Sequence, residues 1–178
     1  MEIVRLHLAT IGAMHNVPVH GFVIKHPSEG AILVDTGVGW PSELLDEWRI
    51  VNRHVQRAEL DRARSAHNFV SQWFDFAGAR FELIDGNAQI AEGLRVVATP
   101  GHTVGHQSVI VDMPGGGAVM IGDAAYTPDI YREVDDADLT DWDGQYSDRD
   151  AWSNSLHKLH EIHPHEVHFC HDTKVVHG

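Results

Sequence analysis

The stretch VVATPGHTVGHQSVIV, residues 96–111, joins two apolar segments through a turn that carries two histidines. The segments LRVVAT (94–99) and SVIVD (108–112) are predicted to be β-strands, because they are short, rich in β-branched residues and bounded by glycine and proline. A histidine turn alone supplies too few ligands to hold a metal ion. A metal site here would therefore need further ligands from elsewhere in the chain.

Three candidate ligands follow strands that are expected to end at one sheet edge. The next strand, AVMIGD (118–123), runs parallel to the first strand after two chain reversals, which places His102 and Asp123 side by side. Near the C-terminus EVHFCHD (166–172) is predicted to be another strand, and His171 leaves its end. Zinc and similar cations accept imidazole nitrogen and carboxylate oxygen. These three residues are therefore candidate ligands of a metal site.

Each candidate ligand also has a structural interpretation that the sequence leaves open. A histidine in a glycine-containing turn is more often a surface residue than a ligand. Asp123 follows a strand, where an aspartate commonly caps the next turn. His171 lies close to further histidines that could form a surface cluster, namely His163, His165 and His168. The second histidine of the turn, His106, is interpreted as a structural support rather than as a ligand.

The remaining segments predict an α+β domain. Further strands are predicted at EIVRLHL (2–8), HGFVIKH (20–26) and AILVDTG (31–37). Helices are predicted at WPSELLDEW (40–48), QRAELDRARSAHNFVSQWFDF (56–76) and SDRDAWSNSLHKLHEI (147–162). The last helix begins with Ser147 and has Asp150 three residues later, which is the spacing of a capping box.

Composition excludes several classes of protein. The chain has 178 residues, of which 43% are hydrophobic, so we expect one domain with one core. A net charge of −13 with scattered lysines and arginines argues against a nucleic-acid partner. No membrane span or secretory signal is recognised, and Cys170 is the sole cysteine, so we expect a cytoplasmic protein without a membrane partner. The acidic stretch 132–150 is predicted to be a solvated loop.

Five segments together resemble the metallo-β-lactamase superfamily, and within it most closely the N-acyl homoserine lactone lactonases. They occur in the family's order: ILVDTGVG (32–39), VQRAEL (55–60), VVATPGHTVGHQSVIV (96–111), IGDAAYT (121–127) and VHFCHD (167–172). The resemblance implies an αββα sandwich in which His102 binds one metal ion, His171 binds a second and Asp123 bridges both. It also implies that Tyr126 assists the substrate carbonyl or the leaving oxygen, and that Asp35 orients the ligands.

The chemistry implied by the resemblance is metal-dependent hydrolysis of an ester-like bond. Up to two Zn²⁺ ions, or other divalent cations, would activate water, with Asp123 and Tyr126 as the catalytic residues. The implied partner is a small-molecule lactone or ester. Thioester hydrolysis on the same fold is the alternative chemistry. Three aromatic residues of the long helix could line the acyl pocket or simply pack in the core: Trp73, Phe74 and Phe76.

The sequence departs from this family in one respect. The motif His-x-His-x-Asp-His, which supplies four of the family's usual seven ligands, does not occur in the chain. In relatives it lies between the DTG strand and the VQRAEL helix, where this chain has only WPSELLDEWRIVNRH (40–54). The nearest positional substitute is His54. We therefore predict one domain over residues 1–178, shortened in its N-terminal half by an apparent deletion near residues 51–54.

Three explanations of the missing motif remain open. A longer form of the protein carries the motif, or a shortened protein has lost the chemistry and binds something, or a second subunit of a homo-oligomer completes the site. We favour the first explanation, because the segments on both sides of the gap match the family. The rival function is a non-catalytic binding or structural module on a decayed metallo-β-lactamase fold. Metal content separates this module from a hydrolase.

Overall fold

The computed structural model describes residues 1–12, 16–35, 53–66, 80–135 and 144–178. Within these ranges the chain forms an antiparallel sheet near the N-terminus, a larger mixed sheet that faces it, a small parallel sheet, and helices. This agrees with the α+β sandwich that the resemblance implies.

The first sheet contains the strands that the N-terminal sequence predicts. Its strands in spatial order are β1 (Glu2–Ile11), β2 (Val17–His26) and β3 (Gly30–Val34), and both pairings are antiparallel. Side chains alternate between the two faces of a strand, so Phe22 and Ile24 of β2 point to the same side. Both are fully buried, and they form the contact of this sheet with the larger one.

The larger sheet has the order β11-β10-β9-β8-β7-β6. Its strands are β6 (Ala88–Ala91), β7 (Leu94–Ala98), β8 (Gln107–Met113), β9 (Gly116–Met120), β10 (Glu166–His168) and β11 (Val175–His177). The β7-β8-β9 meander is antiparallel, and β9 pairs with β10 in parallel. The C-terminal ends of β7, β9 and β10 therefore meet at one edge, as the sequence predicts.

Strand β8 contributes side chains to two hydrophobic clusters, one on each face of the larger sheet. Val109 and Val111 face the first sheet and pack in the same cluster as Phe22. Ile110, between them, faces the opposite way and packs in the same cluster as Trp152. The apolar run of β8 is continuous because both of its faces are covered. Full burial of each large apolar side chain contributes about 1.5–3 kcal/mol.

The described helices are α1 (Arg57–Ser65), α2 (Pro128–Arg132) and α3 (Arg149–Glu161). Helix α3 covers the outer face of the larger sheet through Trp152, Leu156 and Leu159. Its N-cap is Asp148, whose side chain accepts a hydrogen bond from the Ala151 amide at 3.0 Å. The predicted cap, Ser147, is wrong, because its hydroxyl donates instead to the carbonyl of Gly101 at 3.1 Å.

The segment after the predicted deletion is only partly helical. Residues Arg53–Gln56 form β4, which pairs in parallel with β5 (Phe81–Ile84), and the helix begins at Arg57. The predicted helix 40–48 and the aromatic residues of the long helix lie outside the described residues. The shortening of the fold near residues 51–54 therefore stays a prediction. Among the described helices, none combines the length and apolar character that crossing a membrane requires.

Candidate metal centre

The structure brings together the three predicted ligands at the shared strand edge. The Nε2 atom of His171 lies 3.0 Å from Oδ1 of Asp123, and Nε2 of His102 lies 3.5 Å from Oδ2 of the same carboxylate. His102 belongs to the turn after β7, Asp123 to the short 3₁₀ helix Gly122–Ala124 after β9, and His171 to the bend after β10. The Asp123 carboxylate thus has one histidine on each oxygen.

The other nitrogen of each histidine is held by a backbone carbonyl. Nδ1 of His102 lies 3.1 Å from the carbonyl oxygen of Gln145, and Nδ1 of His171 lies 2.9 Å from that of Pro18. A carbonyl oxygen only accepts hydrogen bonds, so Nδ1–H is the donor and Nε2 of the neutral ring has a free lone pair. Two acceptors, Nε2 and a carboxylate oxygen, then face each other. For His171 a proton on Nε2 resolves this conflict in the metal-free protein, and a bound cation would resolve it for both neutral rings. A histidine whose Nδ1–H is bonded to a carbonyl is typical of metal ligands.

The charges around Asp123 favour its ionised form. Burial by itself raises the pKa of the carboxyl group, but the hydrogen bond from His171 and the charge of His102 outweigh burial and hold the pKa well below its usual range. Burial likewise lowers the pKa of His171, but the hydrogen bond with Asp123 and its charge outweigh burial and raise it. Asp123 is therefore an anion near neutral pH, as a cation ligand must be.

Tyr126 packs against both histidines. Its ring centroid lies 5.0 Å from that of His171 and 5.9 Å from that of His102, and both contacts are edge-to-face. The hydroxyl donates to the carbonyl of Gly144 at 2.9 Å. Burial raises the pKa of Tyr126, and the negative charge of Asp123 raises it further. The hydroxyl therefore stays protonated near neutral pH and acts as a hydrogen-bond donor beside the carboxylate.

His106 holds the backbone beside the site, and both of its ring nitrogens are hydrogen-bonded, so neither is free to bind a metal ion. Its Nδ1 lies 3.0 Å from the carbonyl of Thr99, and its Nε2 accepts the Asp123 amide at 3.0 Å. Burial lowers the pKa of His106, so the ring is neutral. Gly122 adopts a φ of 63°, and a Cβ atom there would lie 2.8 Å from Nε2 of His106. The glycine before Asp123 therefore allows this close contact.

Gln145 is a positioning residue that the sequence did not reveal. It is completely buried, and its side-chain amide donates to the carbonyls of Asp123 at 3.0 Å and of Ala124 at 3.3 Å. The backbone carbonyl oxygen of Gln145 is the acceptor for Nδ1 of His102. The prediction of a solvated loop is wrong at this residue. The backbone after β9 leaves the sheet, and Gln145 satisfies the carbonyls that no longer have a strand partner.

The VQRAEL segment fixes the position of the histidine turn. Oε2 of Glu59 accepts the amide of Gly105 at 3.1 Å, and Nε2 of Gln56 donates to Oε1 of Gln107 at 3.1 Å. A Cβ atom on Gly105 would lie 2.3 Å from the Glu59 amide, so only glycine allows this approach. His54 lies on β4, and its Nδ1 is 3.2 Å from a carboxylate oxygen of Glu82 on β5.

A cavity opens beside the carboxylate. Its volume is about 330 Å³, and its polar lining includes Asp123, His102 and Cys170 together with Glu59 and Gln107. The other lining residues include a group of apolar side chains: Phe22, Val34, Val55, Val109 and Met120. Asp35 also lines the cavity, at the end of β3 and with a φ of 59°. The site thus combines a metal-type donor set with an adjoining apolar surface.

The described residues form a sandwich of two sheets with two histidines and an aspartate at one strand edge, and the comparisons with known proteins identify the family. A sequence profile described as the metallo-beta-lactamase superfamily matches residues 61–171. The chain therefore belongs to the metallo-β-lactamase superfamily.

Individual relatives are similar over part of the chain. An N-acyl homoserine lactonase from a Bacillus species is 30% identical over 79 residues, which are 44% of this chain and 31% of that protein. The matched region thus spans about a third of the length of this relative.

Solved structures support the fold. A quorum-quenching N-acyl homoserine lactone hydrolase superimposes with a TM-score of 0.70 at 20% identity, covering 89% of this chain and 81% of that one. AidC, a dizinc quorum-quenching lactonase in complex with a product, superimposes with a TM-score of 0.60 at 13% identity, covering 87% and 72%. At these identities the similarity shows the fold alone.

Proposed function

We propose that this chain is a metal-dependent hydrolase that opens lactones of the N-acyl homoserine lactone type. One observation carries the proposal: two histidines, each fixed through Nδ1 by a carbonyl, direct Nε2 at opposite oxygens of the Asp123 carboxylate. The lactonase relatives and the dizinc structure support the same assignment. His102, Asp123 and His171 are the proposed ligands, and Zn²⁺ is the proposed ion.

The proposed roles divide between charge and hydrogen bonding. A divalent cation held by these residues would supply a water of lowered pKa and would polarise the substrate carbonyl. Asp123 supplies the negative charge that attracts the cation, while His102 and His171 orient it. Tyr126 keeps its proton and can donate a hydrogen bond to the carbonyl oxygen or to the departing alkoxide, after its hydroxyl leaves the Gly144 carbonyl.

The cavity supports a small substrate with an apolar part. A lactone ring presents a polar ester group, which would lie against Asp123 and His102, and the acyl chain would lie along the apolar residues Phe22, Val109 and Met120. Small-molecule sites commonly combine an apolar lining with a few converging polar groups. An ester or thioester of similar size has the same requirements, so rates on a lactone and a thioester must be compared.

The missing His-x-His-x-Asp-His motif sets the expected rate. A catalytic zinc ion usually has three protein ligands and an open position. Among the described residues, His102 is the only candidate ligand on the Oδ2 side of Asp123. We therefore expect lower activity than in relatives that carry the whole motif. The same observation favours a second candidate, a module that has kept the fold without hydrolysis. We also propose that the chain is a single domain shortened near residues 51–54.

The function is tested by comparing the unmodified chain with Asp123→Asn, which keeps the shape but removes the charge. We expect bound zinc in the unmodified chain, and loss of zinc together with a loss of more than about 100-fold in kcat/KM for a homoserine lactone in the variant, since even outer partners of a metal site contribute 10–100-fold. Asp112→Asn is the matched control, because Asp112 pairs with Arg95 on the exposed side of the sheet.

The outcomes separate the candidates. Zinc without lactone hydrolysis supports the non-catalytic module, and hydrolysis that survives Asp123→Asn contradicts the proposed site. An intact mass close to 19.8 kDa supports the shortened domain, whereas a mass several kilodaltons higher supports a longer form that carries the motif.

A further inference from the structure

Oδ1 of Asp123 has a second side-chain neighbour besides His171. The Sγ atom of Cys170 lies 3.1 Å from Oδ1, and Nε2 of His171 lies 3.0 Å from it. Ligand atoms of the three residues all lie within 4.8 Å of one another. A sulfur, a nitrogen and a carboxylate oxygen therefore converge on one point.

The backbone explains why two consecutive residues reach the same carboxylate. Neighbouring side chains of a strand point to opposite faces, but β10 ends at His168 and the chain bends at Cys170 and His171. Strand β2 holds both residues in this bend. The His20 amide donates to the Cys170 carbonyl at 2.8 Å, and the Pro18 carbonyl accepts Nδ1–H of His171 at 2.9 Å. The two side chains are thus presented together by a fixed backbone.

We propose that Cys170 is a metal ligand in this chain, and that one divalent cation of the zinc type is held by Asp123, Cys170 and His171. The inference rests on the proposed metal centre: it assigns Cys170 as the third ligand of the ion on the Oδ1 side of Asp123, while His102 stays the proposed ligand on the Oδ2 side. Zinc accepts thiolate, imidazole and carboxylate in one site, and three protein ligands with an open fourth position are the usual set of a catalytic zinc ion. Cys170 thus restores on the Oδ1 side the ligand number that the missing motif removes.

The distances between the three ligand atoms of Asp123, Cys170 and His171 are close to those of a tetrahedral zinc site. With Zn–S of about 2.3 Å and Zn–N or Zn–O of about 2.0–2.2 Å, tetrahedral N and O ligand atoms lie about 3.3–3.6 Å apart, and the sulfur lies about 3.5–3.7 Å from either. The distances in the structure, 3.0 Å and 3.1 Å, are a few tenths of an ångström shorter, which small side-chain rotations accommodate.

The charges that Asp123 and Cys170 can carry match the charge of a divalent cation. The thiol of Cys170 is 2% exposed and donates to Oδ1 of Asp123 at 3.1 Å. When the cation binds, it replaces the thiol proton, which leaves to solvent. The two negative ligands, Asp123 and Cys170, then neutralise the two positive charges. A sulfur ligand also shifts the preference toward zinc, cobalt and cadmium and away from magnesium or calcium.

The test uses Co²⁺ and the full chain in a His165→Ala/His177→Ala background. These residues form, with Glu166, a second and largely exposed group of possible ligands that could bind Co²⁺ adventitiously. We expect one equivalent of Co²⁺ with thiolate-to-cobalt charge-transfer absorption in the near ultraviolet. Cys170→Ser keeps a hydrogen-bond donor to Asp123, yet it should abolish this absorption and weaken Co²⁺ binding by at least about 10-fold.

Each outcome decides between the two proposals. Co²⁺ that binds without the absorption, and equally well in Cys170→Ser, overturns the sulfur ligand while the proposed metal centre and its lactone hydrolysis stand. Failure to bind Co²⁺, or binding that is unchanged by Asp123→Asn, overturns both. If Cys170→Ser does not fold, cadmium NMR on the chain with its cysteine gives the same answer. A cadmium chemical shift in the range of sulfur-ligated sites supports the proposal. A chemical shift in the range of sites with only nitrogen and oxygen ligands contradicts it.

Discussion

His171 meets Asp123 through the parallel pairing of β10 with β9. The register sets Val167 opposite Val119 and His168 opposite Met120, and both strands end at the same level of the sheet. Asp123 follows β9 and His171 follows β10, so Nε2 of His171 reaches Oδ1 of Asp123 at 3.0 Å. Pro18, on the facing sheet, accepts the other ring nitrogen. The proposed centre thus depends on contacts between both sheets of the sandwich.

The two histidines are expected to contribute unequally to metal-dependent stability. A cation bound at 100 times its dissociation constant raises the free energy of unfolding by about 2.7 kcal/mol. We expect His171→Ala to abolish this gain, because His171 faces the Oδ1 side with Cys170. His102→Ala should retain part of it. Thermal unfolding with zinc and with a chelator measures both effects, and an equal loss in the two variants would contradict the assignment of the cation to the Oδ1 side.

Tyr126→Phe is expected to separate catalysis from metal binding. The change removes only the hydroxyl, and the ring contacts with His102 and His171 remain. We expect an unchanged zinc content and a fall in kcat of about 100-fold, as for the loss of one donor to a developing oxyanion. Tyr131→Phe is the control, since that ring stacks on His160. A loss of zinc in Tyr126→Phe, or an unchanged kcat, would count against the proposed role.

Gln145→Ala is expected to destabilise the fold and loosen the site. The variant removes the side-chain donor of the Asp123 carbonyl, which costs about 1–3 kcal/mol for an unsatisfied buried group, whereas the Ala124 carbonyl still accepts from Nε1 of Trp152 at 2.6 Å. Denaturant unfolding of the metal-free protein measures this loss, and zinc affinity should fall as well. Gln89→Ala, at an exposed strand position, serves as the control. Equal stability of the two variants would show that Gln145 does not position the turn.

Gly101→Ala is expected to disrupt the contact between the histidine turn and α3. A Cβ atom on Gly101 would lie 2.2 Å from the Trp152 Cα atom, and the φ of 137° already disfavours other residues. Gly115 also has a positive φ, 101°, but nothing lies within 4 Å of its Cβ position. Gly115→Ala therefore serves as the control for backbone strain. We expect Gly101→Ala to cost about 1–3 kcal/mol more in unfolding free energy, and similar losses in both variants would refute the steric argument.

Much of the fold follows from local pattern. The strands β1, β2, β3, β7, β8 and β9 were predicted because their apolar runs are bounded by turn residues. Strands β5 and β6 were not predicted, because each is only four residues long and alternates weakly. The long helix is predicted to begin at Gln56, but Gln56 is the last residue of β4 and pairs with Ile84 of β5. Tertiary pairing therefore overrides helix propensity at that boundary.

The supporting residues of the site were harder to predict than its proposed ligands. Gln145 lies in an acidic stretch whose charge indicates solvent, and its burial depends on the carbonyls that β9 leaves unpaired. Pro18 acts through its carbonyl, which every residue has, so its type carries no signal. Cys170 stands beside His171 in the sequence, but strand alternation would place it on the opposite face. The bend after β10, which the sequence does not show, turns it toward Asp123.

The sequence by itself determined the strand meander, the residues that follow each strand and the superfamily, because these depend on local periodicity and on the order of short motifs. Only the tertiary structure decided which nitrogens are tied to carbonyls, which side chains support the turns and that Cys170 faces Asp123. These features depend on pairings between residues far apart in the chain, such as β9 with β10 and β2 with the bend at Cys170. Sequence periodicity describes only neighbours along the chain, and buried polar groups find their partners across it.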